Sequence, residues 1–404
     1  MFRLWLFVVV IHTILMIGVV FAGEKYCFDC MHKYKIGDKK NETYDFEIDL
    51  QDNELSVKVK EEISNKKTGL VSYILFENNK ILIDENRKSK YKGPYPSHSV
   101  GKSLVSLVTG YAVCGGYINH TVFDWIDYPT VVGTLYENQK LINLLNMQAG
   151  DDEIVGDRIY GHDNPIKGKG PNVNVVPIKK VMKKYFKDVD GLEPGTYFNY
   201  SAMTTNVIIN YVIYKTGDDW EKLLHKIFVE DAKVSKRVYF GKTLDKWGKR
   251  KTGNRKSGEY GRYSFYADRY DYVRIANLMM NHWQNDTCVG KYLKTMYENR
   301  IDRNYSTSKF NGNHRVALTY GGQFLWDAVG VEDRPILMMD GAHGQQVVID
   351  FDNNKIITAH SVERRYDYYS LIYLQLNSDT TNKSVERPVC RKYINSEEFV
   401  LEPC

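Results

Sequence analysis

The sequence of 404 residues lacks the patterns of several large functional classes. Its net charge of +5 is small for this length, and no stretch interleaves basic and aromatic residues as RNA-binding segments do. No glycine-rich loop of the nucleotide-binding type follows a predicted strand, and no pair of histidines has zinc-protease spacing. We therefore expect no nucleic-acid partner, no metal and no cofactor.

Long hydrophobic runs are also rare, and the one clear example lies at the N-terminus. Residues 4–22 follow Arg3, carry no charge, and end in Val20-Phe21-Ala22-Gly23, which resembles a cleavage site at small residues. This pattern predicts a signal peptide over residues 1–23. Because the run approaches the ~20 residues that cross a bilayer, an uncleaved membrane tether through residues 4–22 is the alternative. Either way, the rest of the chain is predicted to be extracytoplasmic, either periplasmic or secreted.

Cysteine is scarce, but the cysteines present are compatible with a location outside the cytoplasm. Six cysteines predict disulfides, although the sequence does not choose their pairing. Cys27 and Cys30 precede His32, but no second pair of metal ligands follows. A structural role is therefore favoured over metal binding.

Apolar patterning predicts an α+β fold, an antiparallel sheet flanked by helices with an inserted, mainly helical lobe. Residues 70–83 and 345–360 each predict a strand, a tight turn and a second strand. Helices are predicted between them, at 141–145, 178–186, 204–215, 219–230 and 269–283. The predicted boundaries are an N-terminal extension at 24–60, a main domain at 61–378 with its helical lobe at about 115–270, and a C-terminal tail at 379–404.

The most informative motif is Ser99-Val100-Gly101-Lys102. The pattern S-x-x-K occurs three more times, beginning at Ser64, Ser89 and Ser306. Only the copy at Ser99 opens an apolar helical face, which is formed by Leu104, Leu107, Val108 and Tyr111. On that helix Ser99 and Lys102 lie one turn apart on the same face. The amine can then take the serine proton, as serine acyl-transfer enzymes with a lysine base require.

Two later motifs follow the Ser99 helix in a characteristic order. They are Pro194-Gly195-Thr196-Tyr197-Phe198-Asn199-Tyr200-Ser201 and, at the start of a predicted strand, Gly341-Ala342-His343-Gly344-Gln345-Gln346. Together with the preceding hairpin, this order resembles the serine β-lactamase and penicillin-binding superfamily. The class C-like branch, which includes esterases and 6-aminohexanoate-dimer hydrolases, is the most similar. The resemblance covers about residues 70–376 and implies the same α+β fold.

The resemblance implies a role for each residue of a catalytic group. Ser99 is the expected nucleophile, Lys102 its base, and Tyr200 the group that shares their proton and protonates the leaving group. Lys102 can act as a base only if burial lowers its pKa from about 10.4. Ala202 stands where the family's tyrosine motif commonly has asparagine, which weakens the case for a β-lactamase.

The family's third motif is usually K-T-G on a strand. The two literal copies, at Lys215 and Lys251, fall at a predicted helix end and in a basic loop and are rejected. The triplet His343-Gly344-Gln345 enters a predicted strand and is therefore the expected counterpart of K-T-G, with His343 as a polar or cationic group beside Ser99. Gln345 replaces the usual glycine, which puts close substrate approach in question. The backbone N–H of Gln346 is expected to form the oxyanion hole with that of Ser99.

These residues predict an exported serine hydrolase that cleaves an ester or amide through an acyl-enzyme on Ser99. The expected substrate is a small molecule or a short peptide-like compound. A peptidoglycan-directed D-peptidase or a β-lactamase is the alternative within the family. A catalytically silent binding protein on the same fold is the alternative from another class, and Ala202 and Gln345 keep it open.

Overall fold

The computed structural model describes residues 32–65, 69–87, 94–151, 177–189, 191–244, 259–303, 317–328, 331–361, 371–372 and 375–376, and the backbone of 389–393 and 399–403. All elements below belong to the unit Lys33–Cys404. The predicted signal or tether at 1–23 lies outside the described residues, as do Ser89 and Ser306. Within the described ranges, no helix is long and apolar enough to cross a membrane.

The strands and helices fall in the following places. The strands are β1 (Lys33–Ile36), β2 (Glu47–Ile48), β3 (Leu70–Glu77), β4 (Lys80–Asn86), β5 (Tyr95–Pro96), β6 (Val238–Leu244), β7 (Glu259–Ala267), β8 (Ile301–Asp302), β9 (Ala317–Gly321), β10 (Phe324–Ala328), β11 (Ile336–Gly341), β12 (Gln345–Asp350), β13 (Lys355–Ser361), β14 (Val389–Tyr393) and β15 (Phe399–Pro403). The α-helices are α1 (Glu54–Ser64), α2 (Val100–Cys114), α3 (Leu141–Leu145), α4 (Ile178–Val181), α5 (Ala202–Thr216), α6 (Trp220–His225), α7 (Arg269–Gln284) and α8 (Cys288–Glu298).

The central sheet pairs early and late segments of the chain, as predicted. Its strand order is β2-β4-β3-β13-β12-β11-β10-β9-β8, and β3 lies antiparallel to β13. Strand β3 is apolar almost throughout because both of its faces are covered: Ile74 and Phe76 pack into one core, and Tyr73 and Leu75 into the other. The α+β fold class is confirmed.

A second sheet lies where the sequence predicted a mainly helical lobe. Strands β6 and β7 are antiparallel and form a four-stranded sheet in the order β1-β6-β7-β5. The segment between them, 245–258, holds the basic stretch that hid this hairpin from the sequence analysis. Because β1 pairs with β6, part of the predicted N-terminal extension is built into this sheet. Helix α1 also belongs to the fold, and it buries Val59 and Ile63 against β3 and β4.

Helix α2 lies at the centre of the molecule. It begins directly after Ser99, as predicted, and it is buried on all sides for most of its length. It packs against α5, α8, β7 and β11. At its far end a disulfide joins Cys114 to Cys288, the first residue of α8. The helix therefore holds its N-terminus, and Ser99 with it, at a fixed place between the two sheets.

Candidate active site

Ser99 and Lys102 are in direct contact. Ser99 occupies the N-cap of α2, and Lys102 Nζ donates a hydrogen bond to Ser99 Oγ at 2.9 Å. Lys102 is only 3% exposed. Burial lowers the pKa of Lys102 to about 7, although the negative charge of Asp340 opposes the shift. The lysine can therefore exchange a proton with Ser99 near neutral pH.

A tyrosine that the sequence analysis did not identify covers the lysine. The Lys102 ammonium lies 4.3 Å from the ring centroid of Tyr263 and 4.5 Å from that of Tyr200. Tyr263 comes so close because Gly101 lets α2 press against β7: a Cβ at Gly101 would lie 1.9 Å from the Tyr263 carbonyl oxygen. The glycine within the S-x-x-K motif was the available signal that a backbone approaches there.

Tyr200 is held in place by the loop that follows α3. The N–H of Asn199 donates to the Met147 carbonyl at 2.7 Å, and the N–H of Gly195 donates to the Gln148 carbonyl at 2.9 Å. Burial raises the pKa of Tyr200, while its hydrogen bond with Ser99 acts in the opposite direction. The phenol therefore stays protonated at neutral pH and contacts Ser99 as a proton donor or acceptor.

A buried carboxylate accepts hydrogen bonds from residues on both sides of Tyr200 in the sequence. Asp151 is fully buried and accepts hydrogen bonds from Tyr136 at 2.5 Å, from Asn199 Nδ2 at 2.8 Å and from Thr204 Oγ1 at 3.0 Å. Asn199 precedes Tyr200, and Thr204 lies in the first turn of α5 behind it. The sequence analysis did not single out Asp151, because nothing local to residue 151 indicates these distant partners.

The third motif lies at the entry to a strand, as predicted. Ala342, His343 and Gly344 form the turn between β11 and β12, and β12 begins at Gln345. His343 has a φ of 62°, and its ring centroid lies 4.9 Å from that of His98, the residue before Ser99. Both β11 and β12 contact α2, and on β11 a Cβ at Gly341 would lie 2.5 Å from the Ser97 carbonyl oxygen.

Gln345 and Gln346 begin the next strand, β12. The Gln345 amide bonds to His360 Nδ1 at 2.9 Å and to the Ser361 carbonyl at 2.7 Å, so this side chain faces β13 and not the approach to Ser99. Gln346 lies between Asp340 and Ala359 in an interior strand. This position argues against the predicted oxyanion role of the Gln346 N–H, since the backbone of an interior strand serves its two neighbours.

Ser99 opens into a cavity of ≈ 180 Å³. Two opposite charges, Arg303 and Asp340, lie in its wall, and neither was predicted. Within the described ranges, no group of three or more His, Cys, Asp or Glu side chains is placed to hold a metal ion. The cavity is lined by Ser99, Ser103, Tyr200, Arg303, Tyr320, Gln323, Leu325, Met338, Asp340 and Ala342.

Two backbone N–H groups beside the cavity, those of Ser99 and Ala342, could donate to a bound molecule. In the described part of the chain, neither of them donates to a backbone carbonyl. Ala342 follows directly on β11 and lines the same cavity as Ser99. The Gly341 end of β11 lies beside the N-terminus of α2, against the Ser97 carbonyl.

Comparison with known proteins agrees with this architecture. No protein-family model matches the chain, and no curated protein matches its sequence. Among solved structures, a candidate 6-aminohexanoate-dimer hydrolase from Bacillus anthracis matches with a TM-score of 0.58 at 13% identity, over 86% of this chain and 90% of its own. A penicillin-binding protein homologue from Pyrococcus abyssi matches with a TM-score of 0.54 at 14% identity, over 80% and 76%.

A D-stereospecific amidohydrolase from Streptomyces sp. is also similar, with a TM-score of 0.55 at 12% identity, over 82% of this chain and all of its own. Identities this low establish the fold and not the activity. The chain has the fold of the serine β-lactamase and penicillin-binding superfamily.

Proposed function

We propose that the protein is a serine hydrolase that cleaves an ester or amide through an acyl-enzyme on Ser99. The observation that carries this proposal is the 2.9 Å contact between Lys102 Nζ and Ser99 Oγ. It is supported by the burial that brings the pKa of Lys102 to about 7. A solvated lysine at a helix terminus would stay charged and could not accept the hydroxyl proton.

The reaction follows from these contacts. Ser99 Oγ attacks the carbonyl carbon while its proton passes to Lys102 Nζ. As the tetrahedral intermediate collapses, Tyr200 delivers a proton to the leaving alkoxide or amine and is reprotonated from Lys102. Water then attacks the acyl-enzyme, gives a proton to the same network, and releases the acid and free Ser99.

The negative oxygen of the tetrahedral intermediate needs two fixed donors. We assign them to the N–H groups of Ser99 and Ala342, in place of the Gln346 N–H expected from the sequence. Both residues line the cavity, and neither N–H donates to a backbone carbonyl in the described residues. Backbone donors of this kind stabilise a transition state because they need no reorganisation when charge develops.

We further propose that the enzyme acts outside the cytoplasm. The disulfide between Cys114 and Cys288 supports an oxidising compartment. Export would rest on residues 1–23, either as a cleaved signal or as a tether through residues 4–22. Finding the protein only in the cytoplasm of its host, with Cys114 reduced, would contradict this part of the proposal.

Labelling with a fluorophosphonate tests the reaction. We expect the probe to modify Ser99 in the purified protein, as located by mass spectrometry, and Ser99→Ala to abolish labelling. Ser64→Ala is the matched control, because Ser64 is exposed at the end of α1 and begins another S-x-x-K copy. An unlabelled Ser99 would favour a silent binding protein, and acylation of Ser99 by benzylpenicillin would favour a D-peptidase or β-lactamase.

A further inference from the structure

The side chain of Gln345, which stands where the family usually has glycine, makes three hydrogen bonds. It is buried at the first residue of β12. Its Nε2 donates to the Ser361 carbonyl at 2.7 Å and to the His343 carbonyl at 3.3 Å, and its Oε1 lies 2.9 Å from His360 Nδ1. The two carbonyl partners fix the orientation of the amide, because only its NH₂ group can donate to a carbonyl. The amide oxygen therefore faces the His360 ring.

The amide of Gln345 determines where the His360 ring carries its proton. An amide oxygen only accepts hydrogen bonds, so Nδ1 must be the protonated nitrogen. Burial lowers the pKa of His360 to about 3, and the charge of Arg269 acts in the same direction, so the ring stays neutral at physiological pH. The ring also stacks on Tyr95 with 4.5 Å between centroids, and the Tyr95 carbonyl accepts a hydrogen bond from Tyr272 at 3.0 Å. His360 is thus a fixed donor to Gln345.

The carbonyl of His343 belongs to a turn that needs support from outside itself. His343 has a φ of 62°, in the left-handed region that residues with a Cβ rarely adopt. The Gly344 N–H closes the turn by donating to the Gly341 carbonyl at 3.2 Å. Because each peptide group is planar, the His343 carbonyl and the Gly344 N–H move as one unit, and so do the Gly341 carbonyl and the Ala342 N–H. The bond from Gln345 therefore constrains the direction of the Ala342 N–H through two peptide groups.

We infer that Gln345, oriented by His360, is a positioning residue that holds the oxyanion hole in place. Ala342 supplies one of the two assigned donors, and Gln345 constrains its N–H. Ser99 supplies the other, and Tyr95, which stacks on His360, lies four residues before it. Gln345 and His360 therefore connect the segments that carry both donors, and neither of them is among the residues that line the cavity. The inference rests on the proposed function of Ser99, and a glycine at residue 345 would have no side chain to fill this role.

Gln345→Met tests this role, because methionine has a similar unbranched shape but cannot donate to the two carbonyls. The measurement is single-turnover acylation of the full protein by p-nitrophenyl butyrate, with active sites counted by a fluorophosphonate. We expect the acylation rate constant to fall about 10- to 100-fold, which is less than the roughly 10²–10³-fold cost of losing a whole oxyanion donor. The dissociation constant of the ester should stay unchanged, because the oxyanion develops only in the transition state.

Two further readouts separate positioning from a merely structural role. Phenylboronic acid adds to Ser99 Oγ as the serine proton passes to Lys102, and one oxygen of the resulting tetrahedral boronate takes the place of the oxyanion. Its inhibition constant should therefore rise in Gln345→Met by the same factor as the acylation rate constant falls. The midpoint of the acidic limb of kcat/KM should stay near pH 7, because Lys102 is not altered. A lower melting temperature with an unchanged inhibition constant would show that Gln345 serves stability alone.

Gln139→Met is the matched control. Gln139 is also buried, and its Nε2 also donates to two carbonyls, those of Leu135 at 2.9 Å and Ala149 at 3.1 Å, but it does not line the cavity. Its replacement should lower the melting temperature and leave both the acylation rate constant and the inhibition constant at their wild-type values.

His360→Phe is the second variant, and it decides the question if Gln345→Met fails to fold. Phenylalanine keeps an aromatic ring against Tyr95 but removes the Nδ1 donor, so acylation should slow in the same direction by a smaller factor. Wild-type acylation and wild-type inhibition by phenylboronic acid in the folded variant would overturn the inference. Failure of the proposed function looks different: the wild-type protein itself resists the fluorophosphonate and hydrolyses the ester at the background rate of Ser99→Ala.

Discussion

The two ends of helix α2 carry titratable groups with different surroundings. At the N-terminal end Lys102 contacts Ser99 beside a cavity. At the C-terminal end Tyr111 donates to Asp231 at 2.9 Å and lies 2.7 Å from His282 Nε2. The second histidine nitrogen lies 2.7 Å from Thr287 Oγ1. Burial lowers the pKa of His282 and raises that of Tyr111, so both ends contain shifted groups.

The difference lies in what the groups can reach. In the distal cluster, formed by Tyr111, Asp231, His282 and Thr287, each polar group is bonded to another, and the disulfide beside it fixes α2 to α8. At the N-terminal end the lysine contacts a nucleophile that a substrate could approach. A shifted pKa is therefore a poor guide to function without an adjoining cavity. Substitutions at the two ends should therefore differ in their effect on turnover.

Ser99→Ala should have the largest effect. It removes the nucleophile, so turnover of any ester should fall by more than about 10⁴-fold, the scale of nucleophile deletions in serine enzymes. The helix should persist, because Ser99 is an N-cap without a side-chain capping bond, and the lost hydrogen bonds to Lys102 and Tyr200 should cost about 1–3 kcal/mol of unfolding free energy. The measurement is kcat by initial rates, with the melting temperature as the structural control. Residual turnover above a hundredth of wild type would place the nucleophile elsewhere.

Lys102→Arg should be the next most damaging change. Arginine keeps the charge but is effectively always protonated, so it cannot accept the Ser99 proton. General base catalysis contributes about 10²–10⁴-fold, and kcat/KM should fall by that amount. Stopped-flow release of p-nitrophenol measures the acylation step directly. Near-wild-type acylation in Lys102→Arg would rule out the lysine as base.

The pH dependence of kcat/KM distinguishes Lys102 at one end of α2 from His282 at the other. Lys102 is active when neutral, and its pKa is about 7, so kcat/KM should fall about tenfold per pH unit below pH 7. Tyr200→Phe should alter this acidic limb because the two groups share a proton. His282→Asn should leave the limb in place, although His282 also titrates in this protein. If His282→Asn shifted the acidic limb and Tyr200→Phe did not, the assignment of Lys102 as the base would be contradicted.

Stability should depend on pH through the same lysine. Because the folded pKa of Lys102, about 7, lies below the unfolded value of about 10.4, the unfolded chain binds more protons between those values. The contribution of Lys102 to the free energy of unfolding therefore rises from pH 7 toward pH 10. Lys102→Met should flatten this dependence and raise the melting temperature at pH 7. The control is Lys226→Met at the distal end, where Asp231 raises the lysine pKa.

Helix α2 was predictable because its signals are local. Leu104, Leu107 and Val108 repeat at helical spacing directly after Ser99, and that periodicity fixes both the helix and the relative positions of Ser99 and Lys102. The paired strands β3 and β13 were predictable for a similar reason, since each joins its hairpin partner through a short turn. The overall fold followed from these elements and the order of motifs.

The walls of the cavity were not predictable in the same way. Which strands lie beside Ser99 depends on the order of strands in the sheet, and here both β11 and β12 contact α2. Arg303, Tyr263 and Asp151 come from separate segments and have no local pattern that shows where they meet. Long-range pairing brings them together, and a single sequence does not display it.

Tyr111→Phe should have the smallest effect, and on stability alone. The change removes a hydroxyl that bonds to Asp231 and His282, so both are left with one fewer partner. Loss of such a partly buried hydrogen bond costs about 1–3 kcal/mol of unfolding free energy, which urea denaturation can resolve. The kcat/KM should stay within about twofold of wild type, because the distal cluster has no contact with the cavity among the described residues. A loss of turnover as large as that of Lys102→Arg would mean that both ends of α2 act in one site, and the contrast between them would fail.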